Sequence, residues 1–325
     1  KYHQQNKTLR TAADRHADAR LAAEKKALPI GDVRQVHSLF SSVEDDAGEI
    51  VLCTSRRTMR KVIAETDGEI CVGDRVRFRR TGGTTRLTES ESLDGQSHLL
   101  PEGVIEALEP RRTVLMRADS FDENKLDPIV ANADQFVIVV AMHDPYPRWG
   151  LVDRMLVAAQ TGGLVPIVVV NKADLRDQAD APEETDAAMS HYRKLGIASI
   201  LTSTMSNEGL DELRTTLAGK TSVLAGHSGV GKSSLASALD PQLDLRVGET
   251  SEMHAKGKHT TTSARSYPLS LPGGGRVIDT PGIKVFAPVG VAPEDVIDFF
   301  PDVADETAPA WRVESYQRLR ASLDD

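Results

Sequence analysis

A chain of 325 residues, 40% hydrophobic and 27% charged, has the make-up of a globular protein with more than one folding unit. Its formal net charge of −9 excludes whole-molecule attraction to nucleic acid or acidic lipid, so any such attraction must come from a local basic region. The two cysteines, Cys53 and Cys71, make no disulfide framework and point to a reduced, cytoplasmic setting, and the longest apolar runs, at 136–142 and 164–170, are too short to cross a membrane.

Residues 1–31 read as a basic N-terminal arm, a polar helix or a disordered segment. Seven positive and three negative charges leave it a net of +4, and Leu28, Pro29, Ile30 and Gly31 punctuate its end. From 32 to 118, β-forming segments at 49–53, 60–64, 74–78, 103–107 and 113–116 alternate with turn signals at Asp67-Gly68, Gly82-Gly83 and Asp94-Gly95. That spacing predicts a small β-barrel. Nine Lys or Arg lie between Arg56 and Arg86 against four acidic residues, at 65, 67, 69 and 74. A solvated barrel face would explain them; the basic arm beside them favours a nucleic-acid-binding barrel.

From 119 to 288 the pattern is α/β. Apolar runs of strand length recur at 136–140, 166–170, 198–201, 222–225, 266–271 and 276–279, with helical patterns at 151–160 and 210–217. Buried strands between helices predict a mostly parallel sheet covered on both faces. A mixed, mainly helical segment, 289–325, closes the chain.

Gly226, His227, Ser228, Gly229, Val230, Gly231, Lys232 and Ser233 fit G-x-x-x-x-G-K-[ST] between a strand and a helical run opening at Ser234. The glycines let backbone N–H groups approach phosphate oxygens, and the helix N-terminus adds positive potential. Lys232 is expected on the β- and γ-phosphates and the Ser233 hydroxyl on Mg²⁺. Asn171, Lys172, Ala173 and Asp174 follow another apolar strand. Asp174 can accept from the ring N–H and amino group of guanine, a donor pair adenine lacks. Asn171 can hold the loop, the Lys172 stem can lie over the base, and backbone N–H groups at Thr202 and Ser203 can complete the pocket. Asp279 suits Mg²⁺ from the second coordination sphere, and the Gly282 N–H suits the γ-phosphate. Among Thr260, Thr261 and Thr262, Thr261 is the favoured Mg²⁺ ligand. Position 283, where many GTPases carry a water-orienting Gln, is Ile, so His259 is the candidate for that role. The catalytic set is then His259, Lys232 and Thr261.

These motifs run in permuted order, base reader before phosphate loop. With Pro110 to Arg117, Lys258 to Thr262, Asp279 to Gly282 and Glu314-Ser315-Tyr316, the chain resembles the RsgA (YjeQ) family of ribosome-assembly GTPases. The resemblance implies an N-terminal OB-fold and a circularly permuted P-loop GTPase domain with Mg²⁺. A cytoplasmic monomer with no membrane partner is expected. Its expected partners are GTP and GDP and the small ribosomal subunit with its rRNA, which would stimulate hydrolysis. The family's C-terminal zinc knuckle uses three Cys and one His, yet between Phe300 and Trp311 this chain has neither residue, so Zn²⁺ is expected from the family while its ligands are missing. The competing readings are a large-subunit assembly GTPase, a nucleotide-regulated RNA-binding module with little turnover, and a P-loop kinase of a small metabolite.

Overall fold

A computed structural model of the protein describes residues 23–55, 69–89, 91–92, 96–118, 126–243, 264–280, 288 and 290–323. Five strands come first: β1 (Ile30–Val36), β2 (Ser41–Asp45), β3 (Ile50–Ser55), β4 (Arg75–Leu87) and β5 (His98–Leu108). β1 pairs β2, β2 pairs β3, β3 runs parallel to β5, β5 pairs β4, and β4 returns to β1, so the five close into a ring. Alternate side chains fill the ring: Val33, Val43, Val51, Cys53, Val76, Phe78 and Ile105. Gly31 is fixed by space. A Cβ there would lie 2.5 Å from Val43 Cγ1 and 2.8 Å from the Glu44 carbonyl.

The ring takes in Ile30 and Gly31 from the expected arm. It ends at Leu108, and β6 (Val114–Ala118) pairs instead with β7 (Leu126–Ala131) as a separate two-stranded hairpin across the expected boundary at 118. The Val114 N–H donates to the Gly162 carbonyl at 3.0 Å, which ties this hairpin to the second half of the chain. Asp74, fully buried, accepts Arg111 Nε at 2.7 Å and Nη2 at 2.9 Å, clamping ring to connector. The expected strand at 60–64 lies outside the described residues.

The second half contributes β8 (Gln135–Ala141), β9 (Val165–Asn171), β10 (Ala198–Leu201), β11 (Thr221–Ala225), β12 (Arg265–Pro268) and β13 (Arg276–Asp279), in spatial order β10-β9-β8-β11-β13-β12. The first five neighbours are parallel; β12 alone among these six is antiparallel. Its connection explains this, since Leu271 to Gly275 form a tight hairpin in which Gly273, Gly274 and Gly275 have positive φ. β12 is also shorter than the 266–271 run suggested. Pro268 has no N–H to extend the ladder, and the Leu269 N–H already donates to the Gly275 carbonyl.

Helices α1 (Trp149–Thr161) and α2 (Pro182–Lys194) cover one face of this sheet, and α3 (Leu210–Leu217) and α4 (Lys232–Leu239) the other. β8 shows the alternation that serves both layers. Phe136 and Ile138 join Met155, Leu156 and Met189, while Val137, Val139 and Ala141 join Leu213 and Leu235. After 290 come a 3₁₀ turn (Pro293–Phe299), one helical turn (Pro301–Ala304) and α5 (Ala310–Ala321). Val296, Phe300 and Leu319 from this segment pack on Val157 of α1.

Ring and sheet are joined: Gln35 of β1 pairs with Arg265 of β12, giving one sheet of eleven strands. Beside this seam, Glu44 accepts Arg34 Nε at 2.5 Å and lies 3.2 Å from Arg276 Nη2. Burial, with the Arg34 charge beside it, lowers the Arg276 guanidinium to about 10. Glu44 is therefore the counter-charge for two arginines. Glu44→Gln should lower stability by about 2 kcal/mol in urea unfolding, and an unchanged midpoint would mean that the seam does not depend on this carboxylate.

Candidate nucleotide-binding site

Parallel strands bring their C-terminal ends to one edge, and the loops leaving β8, β9, β10, β11 and β13 therefore gather there. The loop after β11 bends through Gly226 (φ 153°), Gly229 (φ 86°) and Gly231 (φ 90°) before α4 begins at Lys232. Two of these glycines are also steric requirements: a Cβ on Gly226 would lie 2.2 Å from the Val139 carbonyl, and one on Gly231 2.5 Å from Asn171 Nδ2. His227, Ser228 and Gly229 form the exposed crest, Val230 is buried beneath it, and Ser233 and Ser234 open the helix. Lys232 Nζ donates to the carbonyls of Gly226 at 2.8 Å and His227 at 3.0 Å.

The loop after β9 is locked to this one. Asn171 is 1% exposed, donates from Nδ2 to the Val230 carbonyl at 3.0 Å, and accepts the Thr202 hydroxyl on Oδ1 at 3.2 Å. One side chain thus joins the loops after β9, β10 and β11. Lys172 takes a left-handed conformation (φ 62°) that aims its stem at the turn after β8, where Nζ donates to the Asp144 carbonyl. Asp174 makes no helix cap; its carboxylate accepts the Ser203 hydroxyl. That hydroxyl oxygen in turn accepts the N–H groups of Met205 and Ser206, each at 3.1 Å. The N–H of Thr202 donates to the Val170 carbonyl at 2.8 Å and that of Ser203 to Glu208 at 3.0 Å, while the Thr202 carbonyl accepts the Ala173 N–H at 3.0 Å, so backbone and side chains together link the two loops.

At the end of β13, burial raises the Asp279 carboxyl, against the pull of the Lys232 charge, and burial lowers the Lys232 ammonium, against that of Asp279. Each is the other's main opposing charge in a desolvated place. The next residue, Thr280, is buried and donates its hydroxyl to the Leu224 carbonyl at 3.1 Å, fastening the start of this loop to β11. The sequence placed Thr280 within the Asp279-to-Gly282 motif without a role of its own and left Asp144 and Gly209 unmarked. Of the latter two, Gly209 left a signal, as the turn glycine before α3; a Cβ on it would lie 1.9 Å from the Leu201 carbonyl. His259, Thr260, Thr261, Thr262, Gly282 and Ile283 lie outside the described residues.

Residues 108–288, more than half of the chain, match the family described as RsgA GTPase. The chain belongs to the RsgA GTPase family. The matched range holds every one of these nucleotide-site loops and begins where the ring of β1–β5 ends. A relative from Histophilus somni (strain 2336), "Small ribosomal subunit biogenesis GTPase RsgA", is 38% identical over 256 residues, 79% of this chain. The chain spans 65% of that relative's length. The solved structure of YjeQ from Thermotoga maritima is 29% identical with a TM-score of 0.63, covering 91% of this chain and 98% of that one. YloQ, described as a circularly permuted GTPase, shares the fold at a TM-score of 0.61 and 21% identity, over 93% of this chain and 96% of its own. The circularly permuted GTPase fold accounts for the order of the loops in this RsgA-family chain.

Zinc does not fit the residues present. Cys53 and Cys71 are the only cysteines; Cys53 lies inside the ring, Cys71 is buried beside Asp74, and Asp305, Glu306, Thr307, Ala308, Pro309 and Ala310 stand where the knuckle is expected. No group of three or more His, Cys, Asp or Glu among the described residues could hold a metal. Among those residues, too, no helix is long and apolar enough to cross a membrane.

Asn171→Ala should cost about 2 kcal/mol in the urea unfolding of nucleotide-free protein, since the buried Val230 carbonyl and Thr202 hydroxyl both lose a partner. Stability equal to wild type would show that the loops are held together by something else.

Proposed function

We propose that this chain is a GTP hydrolase that acts as a switch in late maturation of the small ribosomal subunit. The observation that carries the reading is the single hydrogen-bonded unit made by the base loop and the phosphate loop. Asn171 fixes their separation, and Ser203 presents the Asp174 carboxylate beside them. A guanine can then meet Asp174 while its phosphates meet the N–H groups of 226–231 and the amine of Lys232, which exchanges its carbonyl partners for phosphate oxygens. An Mg²⁺ ion fits the donors at the head of α4. Ser233 would hold it directly, Asp279 from the second sphere and Thr261 from the stretch of chain before β12. Bound there, it would neutralise charge on the β- and γ-phosphates. The Gly282 N–H would sense the γ-phosphate, and His259 would orient the attacking water.

The ring β1–β5, with strand order 1-2-3-5-4, reads as an OB-fold, which commonly binds oligonucleotides. Arg75, Arg79 and Arg80 on its outer side each have a carboxylate within 3.4 Å, from Asp32, Glu24 and Asp45 respectively. Exposed ion pairs of this kind contribute little, so rRNA phosphates can replace the carboxylates. The domain reading is an arm (1–31) whose last two residues enter the ring, an RNA-binding domain (32–118) built on the ring, a GTPase domain (119–288) and a C-terminal segment (289–325), in a cytoplasmic monomer.

Turnover of GTP is to be measured alone, with small subunits and with large subunits. Small subunits should raise the rate about tenfold or more, as activation in trans does elsewhere. Stimulation by large subunits instead would overturn the assignment, and salt-sensitive RNA binding with no turnover would favour a nucleotide-regulated RNA-binding module. Asp174→Asn gives a sharper test of base reading. The amide replaces an acceptor with a donor, so preference should shift from guanosine to xanthosine nucleotides by about 10- to 100-fold; retained GTP preference would remove Asp174 from the base pocket.

A further inference from the structure

The C-terminal segment is held on the GTPase sheet by a cluster of buried charge. Arg312 of α5 is 2% exposed, bonds through Nη1 to Asp153 of α1, and donates from Nε to Asp302 at 3.1 Å. Asp153 is itself 1% exposed and accepts the Tyr192 hydroxyl at 2.7 Å, while Asp302 lies 2.7 Å from His191 Nε2, both partners being on α2. Burial pushes both carboxyls up. At Asp153 it prevails; at Asp302 the hydrogen bonds of His191 and Arg312 outweigh it and hold the group below its usual range. The guanidinium lies over the Phe300 ring at 4.2 Å. Around it, Trp149, Tyr192 and Trp311 pack with ring centroids 5.7 to 6.2 Å apart, joining the starts of α1 and α5 to the end of α2. Neutralising two carboxylates with one fork-shaped cation requires a fixed geometry, so the cluster specifies where α1 begins relative to α2.

The turn ahead of α1, residues 143–148, bears on the nucleotide loops. It runs from β8 into Trp149. Its Asp144 carbonyl takes the Lys172 amine, its Pro145 Cδ lies 3.6 Å from where a Gly229 Cβ would be, and its Tyr146 hydroxyl donates to Glu184 of α2 at 2.6 Å. Beneath the turn lies a small, mainly apolar cleft with about 50 Å³ of free space, lined by Val139, Pro145, Leu151, Met155, Gly226 and Val230. The turn is therefore incompletely packed from below, although Pro147 is buried. Besides the Lys172 bond, the turn is anchored at α1, into which it runs, and at Glu184 of α2, and these two are the helices that the Arg312 cluster clamps together.

We propose that residues 291–323 form a metal-independent brace whose Arg312-centred cluster positions the 143–148 turn against the base and phosphate loops. Arg312, Asp302 and His191 are then positioning residues, acting through α1 and α2. The cluster holds this segment through charge and aromatic packing, with no metal-binding group among the described residues, and its effect on nucleotide binding rests on the proposed GTPase function.

The test uses the full chain and Asp302→Asn, which leaves the Arg312–Asp153 pair in place and so spares the fold. In nucleotide-free protein, amide exchange should quicken at least about tenfold both in 293–321 and in 144–152, while β8 stays protected. Dissociation of a fluorescent GDP analogue should quicken by about tenfold as well. A strong zinc chelator should leave wild-type exchange unchanged. Faster exchange confined to 293–321, with the turn and nucleotide release unaltered, would reduce the cluster to a local fastening and overturn the proposal. A chelator that reproduces the variant's exchange pattern would overturn it equally. If wild-type protein bound no guanine nucleotide, the proposed function would fall, and the exchange of residues 144–152 would still decide the brace.

Discussion

The hydrogen bond from Asn171 to the Val230 carbonyl joins residues 59 positions apart, and the arrangement of the nucleotide site depends on it. Loops at the edge of a parallel sheet share a side of the molecule, but sharing a side does not set their separation. Asn171 sets it with one planar amide whose nitrogen is committed to the phosphate loop and whose oxygen is committed to Thr202. Gly231 is the complement of that choice, because any side chain there would occupy the place of the amide. The left-handed Lys172 and the Asp174–Ser203 contact depend on it in turn. This constraint lives in packing and polar pairing, and chain order does not enter into it. A permuted sequence satisfies it as well as any other.

Much of this was legible beforehand, for identifiable reasons. The phosphate loop is written in residues whose conformational demands are local, glycines at positive φ and a helix start, so its text predicts its shape. Helix α3 and strand β10 were bounded correctly because apolar period and turn residues agree there. The place of Asn171 to Asp174 at the end of a buried strand was legible from the apolar run before it.

Other features left no local trace. Ser203 looks like a backbone contributor in the sequence, whereas its hydroxyl is the link to Asp174, a fact that depends on pairing across 29 residues. β12 reads as one more buried strand, and its antiparallel direction is decided by a hairpin too short for a crossover. The segment 113–116 reads as another ring strand because its composition is right for one, and its partner β7 shows otherwise. Arg312 offered no clue at all, since a lone arginine in a polar helix is ordinarily solvated.

The seam between ring and sheet has a consequence for how the molecule can be divided. A sheet whose outermost strand is antiparallel presents free N–H and C=O groups that can recruit another chain. In this protein β1 occupies that place beside β12 and turns the exposed margin into an interior one. A fragment trimmed to the nucleotide-handling portion would leave the margin open and be prone to stack on its own copies. The half built on β1–β5 thus also serves as a cover for its neighbour, which ties the two halves together whatever either one binds.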